Sequence, residues 1–309
     1  MRLTQLMACY GTSPPNTTTR KQFGLATFLL ITFIMLFAGN AHAFSKIVAF
    51  GDSLSDNGNA FALSGGTTPP PPYFNGRFSN GPVWVETLAG NLGLSLEDHA
   101  IGGSTTADIN LQIAAAGAAD PNALYTVWGG ANDFLALGPT DDPIAAIGTA
   151  VTNLLTGIGA LMTGGAQHFL VMSLPDLGLT PRSLTSPEGG AGPTAISDIF
   201  NNSLLFNLGA TFPGADISFM NTFDLLRDVV GNPALFGLTN VTDACLVGLT
   251  PCANPDEYAF WDDIHPTNAL HNLLAGEAQL IVAPVPVPAA VWLFGSALGL
   301  LGWMRRKAA

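Results

Sequence analysis

Lys46-Ile-Val-Ala-Phe-Gly-Asp-Ser-Leu-Ser-Asp-Asn-Gly58 is the stretch on which the fold turns. Lys46 and four apolar residues run into Gly51, the pattern of a strand buried on both faces that enters a sharp turn. Ala123 to Trp128 before Gly129-Gly130 and Phe169 to Ser173 before Leu174-Pro175-Asp176 repeat it, while Leu96 to Ile101 before Gly102-Gly103 reads as a strand without the unbroken apolar run. Ile217 to Asn221 makes a fifth strand. Helical spacings separate them: Val83 to Leu92, Thr106 to Ala119, Pro143 to Met162 and Ile196 to Leu208, with Asn268 to Ile281 last. This alternation predicts an α/β fold of three layers, a parallel sheet of about five strands between helices. Ligands of such folds bind beyond the carboxyl ends of the strands.

The strand ends carry the chemistry. Gly51-Asp-Ser53 presents a hydroxyl at the first turn, though such a triplet also serves as a plain cap. Gly102-Gly103 offers main-chain N–H groups that can approach a ligand oxygen closely. Trp128-Gly-Gly-Ala-Asn132 adds a side-chain amide. Near the other end, Asp262-Asp-Ile-His265 sets a carboxylate three residues before a histidine, close enough to meet Nδ1 and leave Nε2 free as a base. A serine nucleophile, its base, an orienting acid and oxyanion donors are what acyl transfer requires, with no metal or cofactor. His99, His168 and His271 have no carboxylate so spaced and read as structural or exposed; His42 falls in a processing box.

The combination resembles the GDSL family of esterases and lipases, within the SGNH hydrolases. Gly51-Asp-Ser-Leu54 matches its first block, Gly103 the second, Gly130-Ala-Asn-Asp133 the third and Asp262-Asp-Ile-His265 the fifth. Asn75 to Trp84 resembles the family's loop after the first strand. The resemblance implies a flavodoxin-like SGNH fold with Ser53 as nucleophile, His265 as base and Asp262, rather than Asp263, as its orienter. The oxyanion hole would be the Ser53 and Gly103 N–H groups with the Asn132 amide, Gly102 being the alternative to Gly103. The Gly-x-Ser-x-Gly elbow of the α/β-hydrolases is absent. An ester hydrolase on lipid or acylated sugar is expected. An acyltransferase or polysaccharide deacetylase on the same site, or a matrix-binding surface protein that does no chemistry, are the alternatives.

The chain ends read as sorting segments around one domain, residues 44–283. Arg20-Lys21, a charge-free run from Phe23 to Ala38 and Ala41-His-Ala43 read as a secretory signal over residues 1–43, an uncleaved anchor being the rival. Residues 284–309 hold Val285-Pro-Val-Pro288, a 16-residue charge-free run from Ala289 to Met304, and Arg305-Arg-Lys307. They resemble the PEP-CTERM sorting signal of Gram-negative bacteria, with Val287 where the usual form has Glu. That implies passage through the membrane and recognition by an exosortase-type peptidase. Cys245 and Cys252, seven apart in an exported domain, favour a disulfide over metal ligation.

Composition agrees with export. Charged residues make up only 10% of the 309, yet all 22 acids fall between Asp52 and Glu277. Just four bases fall in residues 44–283 (Lys46, Arg77, Arg182 and Arg227), which gives the domain a formal charge of −18 against −12 for the whole chain. Such a surface repels nucleic acid and anionic membranes.

Overall fold

The computed structural model describes residues 44–138 and 140–283; the expected signal and tail lie outside the described residues. In chain order the first half runs β1 (Lys46–Gly51), α1 (Asn59–Leu63), α2 (Trp84–Leu92), β2 (Ser95–Asp98), α3 (Thr106–Ala115), β3 (Leu124–Trp128) and α4 (Ala131–Leu135). It continues through α5 (Pro143–Thr163), β4 (His168–Met172), α6 (Pro181–Thr185), α7 (Ala191–Thr211), β5 (Asp216–Met220) and α8 (Thr222–Gly231). Short strands β6 (Asn240–Ala244), β7 (Leu246–Val247), β8 (Thr250–Pro251) and β9 (Tyr258–Phe260) precede α9 (Asn268–Val282).

The first five strands form one all-parallel sheet in the order β2-β1-β3-β4-β5, as the alternating pattern predicts. Successive β1 side chains serve opposite faces. Ile47 and Ala49 pack with Trp84, Leu88 and Leu274 from α2 and α9. Val48 and Phe50 pack with Ile109, Leu154 and Leu204 from α3, α5 and α7. A strand with an apolar layer on each side has no use for alternation, which is why it reads as an unbroken run. The same division explains α5, which is long and apolar enough to span a membrane. Ile147, Val151, Leu154, Ile158 and Leu161 bury its inner face in the core.

Several boundaries move. The third helix ends at Ala115 instead of Ala119, because Gly117 takes a φ of 83° and breaks the turn. The helix expected from Ile196 begins at Ala191, since Pro193 lies in the first turn, where a missing N–H costs nothing. The sequence pattern did not reveal α8 or the two small sheets, β6 with β9 and β7 with β8. The strands of those small sheets are short and lack the unbroken apolar run that marked the central ones.

Strand order reverses between β1 and β3, which makes their carboxyl ends the switch point where ligands of such sheets bind. The two strands close in there: an ideal Cβ on Gly51 would stand 2.5 Å from the Trp128 carbonyl oxygen. Gln112 on α3 pins the same residue from its side chain, accepting from Gly51 N–H at 3.0 Å and donating to its carbonyl at 2.8 Å. Gly51→Ala is therefore expected to cost about 1–3 kcal/mol of stability, the penalty of overpacking against backbone. A denaturant midpoint equal to wild type would overturn that expectation.

Candidate active site

The site begins where β1 ends. Asp52 and Ser53 follow Gly51, both nearly buried. The loop beyond them is organised by the Asp56 carboxylate, fully buried, which accepts from the N–H groups of Gly58, Asn59 and Ala60. It also accepts from Gly102 N–H at 2.7 Å, and so ties the first strand's turn to the second's. Asp98 does similar work from the end of β2, accepting from Asn57 and Ala100.

The other half comes from the far end of the chain. Strand β9 leads into Trp261, whose N–H donates to the His265 carbonyl at 2.7 Å and closes a tight loop. Inside it, Asp262 Oδ1 accepts from Ile264 N–H and His265 N–H at 2.9 and 2.7 Å. Asp263 points outward to Arg182 at 2.8 Å and has no contact with the imidazole. The loop is fastened to residues 79–84: Ser79 donates to the Pro266 carbonyl, Asn80 accepts from Asn268 N–H, and Asn268 donates to the Pro82 carbonyl. Cys245 and Cys252 are disulfide-bonded, and Cys245 packs with Leu246 against Trp261.

These two halves meet at one imidazole. His265 Nε2 lies 2.9 Å from Ser53 Oγ, and His265 Nδ1 lies 2.6 Å from Asp262 Oδ2. Burial alone would raise the Asp262 pKa, but the His265 contact, the Tyr73 hydroxyl and the Ile264 N–H together bring it down to about 2. Ionised Asp262 has no hydrogen to offer, so Nδ1 carries the proton and Nε2 accepts from Ser53. Phe78 packs its ring 5.1 Å from the imidazole.

The expected oxyanion donors are available in different ways. Among the described residues nothing accepts from the N–H of Ser53 or of Gly103. The Gly102 N–H is already engaged, donating to Asp56, and a Cβ there would run into the Phe78 ring at 2.2 Å. Gly103 turns with a φ of 84°. Asn132 Nδ2 donates to the Ser104 carbonyl at 2.9 Å, which orients the amide and leaves its second hydrogen free. Asn132, Ser53 and His265 line one pocket with Leu54, Trp128 and Leu177; Gly103 is not part of that lining.

Carboxylate pairing alone does not single out the base. His99 meets Glu97 at 3.0 Å and His168 meets Asp216 at 2.6 Å, partners that a search three residues upstream does not find. His265 pairs with a carboxylate on one nitrogen and has Ser53 Oγ on the other. His271 is fully buried, accepts from Trp84 N–H, and is held neutral with a pKa near 3, chiefly by burial and then by the charge of His265. Tyr73 was not anticipated: its loop, Thr67 to Phe74, reads equally as a pocket wall or a surface turn. In fact its hydroxyl donates to Asp262 Oδ2 at 2.6 Å, behind the site.

A family described as GDSL-like Lipase/Acylhydrolase matches residues 47–278. The phosphatidylcholine-sterol acyltransferase of Aeromonas hydrophila is 28% identical, over 82% of this chain and 94% of its own. The thermolabile hemolysin of Vibrio parahaemolyticus is 28% identical over 75% of this chain, which spans only 62% of it. A GDSL esterase/lipase of Arabidopsis thaliana is 28% identical over 73% of this chain and 84% of its own. Among solved structures, a mutant acetyl-xylooligosaccharide esterase from Geobacillus superposes with a TM-score of 0.50 at 16% identity, covering 79% of this chain and 96% of that one. It shows the shared SGNH fold.

Buried carboxylates also give stability a pH dependence. Burial raises Asp98 to about 7 and Asp52 to about 6, against their N–H donors. Folded-state pKa values above the unfolded value mean that the native state holds more protons between the two. Stability is then full below the ordinary carboxylate pKa and falls as pH rises through about 6 and 7. Denaturant unfolding between pH 5 and 8 should show that decline, and Asp98→Asn should make it shallower. An unchanged slope in the variant would count against the burial account.

Proposed function

The chain belongs to the GDSL-like lipase/acylhydrolase family and is a carboxylic ester hydrolase, and from that premise we propose that it cleaves esters through Ser53, His265 and Asp262. The observation that carries the reading is the unbroken relay from Ser53 Oγ through both imidazole nitrogens to Asp262. His265 Nε2 takes the Ser53 proton as Oγ adds to the ester carbonyl. The carbonyl oxygen becomes an oxyanion, met by the N–H groups of Ser53 and Gly103 and by the Asn132 amide. As the bond to the alcohol breaks, His265 returns its proton to the leaving oxygen. Water then repeats the sequence on the acyl-enzyme, and the acid leaves.

Two features of the site bear on substrate. Leu177, Leu225, Leu226, Phe260, Leu270 and Leu274 give the pocket an apolar wall suited to a fatty acyl chain. Each Lys and Arg among the described residues is already ion-paired: Lys46 with Glu97, Arg77 with Glu86, Arg182 with Asp263 and Arg227 with Asp176. No spare cation waits for an anionic substrate, which supports a neutral or zwitterionic ester. A second reading, acyl transfer to an alcohol, is favoured by the Aeromonas relative, whose name states that chemistry. Product analysis with an added sterol or sugar acceptor separates the two.

Export belongs to the same proposal. The leader 1–43 would be removed after Ala43, and the tail 284–309 would pass the membrane and be read by an exosortase-type peptidase. The charge-free runs, the Ala41-His-Ala43 box and the closing Arg305-Arg-Lys307 support this. The mature protein recovered outside the cell should then begin at Phe44 by mass spectrometry; an N-terminus upstream of Arg20 would point to an anchored form.

Hydrolysis of p-nitrophenyl esters of graded chain length tests the chemistry. Ser53→Ala should leave near-background rates, and Asn132→Ala should lower turnover by about 10²–10³-fold. Equal rates for wild type and Ser53→Ala would remove the mechanism.

A further inference from the structure

Tyr73 stands on a proline-rich loop, 189 residues before the acid it touches. Its ring is edge-on to Trp261 at 6.2 Å and to Phe78 at 6.3 Å, while Phe78 lies against His265. Its hydroxyl and His265 Nδ1 both sit 2.6 Å from the same oxygen, Asp262 Oδ2. Two donors on one carboxylate oxygen compete for its charge. We propose that Tyr73 is a positioning residue for ester cleavage, its phenol holding Asp262 in place and limiting how strongly that carboxylate pulls on His265. This rests on the roles given above to Ser53, His265 and Asp262.

The consequence is a handle on the base. A carboxylate that accepts from the phenol stabilises the imidazolium less than one that accepts from His265 alone, so Tyr73 keeps His265 less basic. Other groups around the pair stay fixed. Asp52 approaches from the end of β1, Asp263 is engaged with Arg182 on α6, and neutral His271 sits on α9. Burial, and then Asp262, hold the Tyr73 phenol well above its ordinary pKa, so it stays a donor through the working range.

The experiment compares Tyr73→Phe with 3-fluorotyrosine installed at position 73, a more acidic phenol and so a stronger donor. In Tyr73→Phe the acid limb of the pH profile of kcat/KM should move to higher pH, with kcat lower by about tenfold and KM unchanged. Fluorotyrosine should move the same limb to lower pH. The low-field Nδ1 proton of His265 should shift downfield in Tyr73→Phe by NMR, a reading that needs no turnover and covers a variant too weak to assay. Limbs that stay put in both proteins, or move in the same direction, would reduce Tyr73 to packing. Full activity in Ser53→Ala would instead overturn the underlying mechanism while the NMR shift still reports on Tyr73.

Discussion

The Trp128 carbonyl oxygen occupies the place where a side chain on residue 51 would have to go, so β1 and β3 can meet at the switch point only because that residue is glycine. Everything at the site is measured from this approach. Ser53 follows Gly51 by two residues, and Asn132 follows Trp128 by four. Gln112 then fixes the Gly51 peptide through both its N–H and its carbonyl, and the same amide donates to Ser104, whose carbonyl orients Asn132. The turn that carries Ser53 and the Asn132 amide are thus held through one side chain on α3. A constellation built this way relies on main-chain geometry, which tolerates less movement than a set of side chains alone.

Charge is handled in an unusual way. With only four cations in the domain, most carboxylates cannot be neutralised by ion pairs. The buried ones turn to peptide N–H groups instead. Asp56 collects four, Asp98 two, and Asp262 two besides its histidine and tyrosine. Each of these carboxylates joins segments that would otherwise be independent turns. The acidity that reads in the sequence as a solvated surface is partly internal scaffolding, and at Asp98 desolvation pushes the carboxyl pKa upward.

Legibility followed chain distance. Ser53, Asp262 and His265 could be read because each sits in a local pattern: a strand-ending glycine before the serine, and a carboxylate three residues before the histidine. Four of the five sheet strands were legible for the same reason, as apolar runs that end in glycine or a turn; β2, Ser-Leu-Glu-Asp98, has no such run and ends three residues before the expected Ile101. Tyr73 was not, since its partner lies 189 residues away and a Pro-rich loop gives no hint of where its side chain lands. Asp56 was hidden among turn residues, and α8, which supplies Leu225 and Leu226 to the pocket, is only ten residues long and buries Thr222, Leu226 and Val229, too few positions to establish a helical period. The histidines show the limit of spacing as a guide, because Glu97 precedes His99 by two and Asp216 reaches His168 across the sheet.

What separates His265 from those two is the direction of the chain of bonds. His99, just past β2, and His168, on β4, each meet a carboxylate through one ring nitrogen. Around His265 the bonds have an order: peptide N–H groups fix Asp262 Oδ1, Asp262 Oδ2 fixes Nδ1, and Nε2 is left with Ser53. The loop that makes this order is only five residues long, from Trp261 to His265, closed by its own main-chain bond. Such a loop can present acid and base as one rigid unit. The remaining requirement is docking that unit onto β1, and the bonds from residues 79–82 to 266–268 do it. The segment after the first strand therefore acts as the strap that brings the two ends of the domain to a common site.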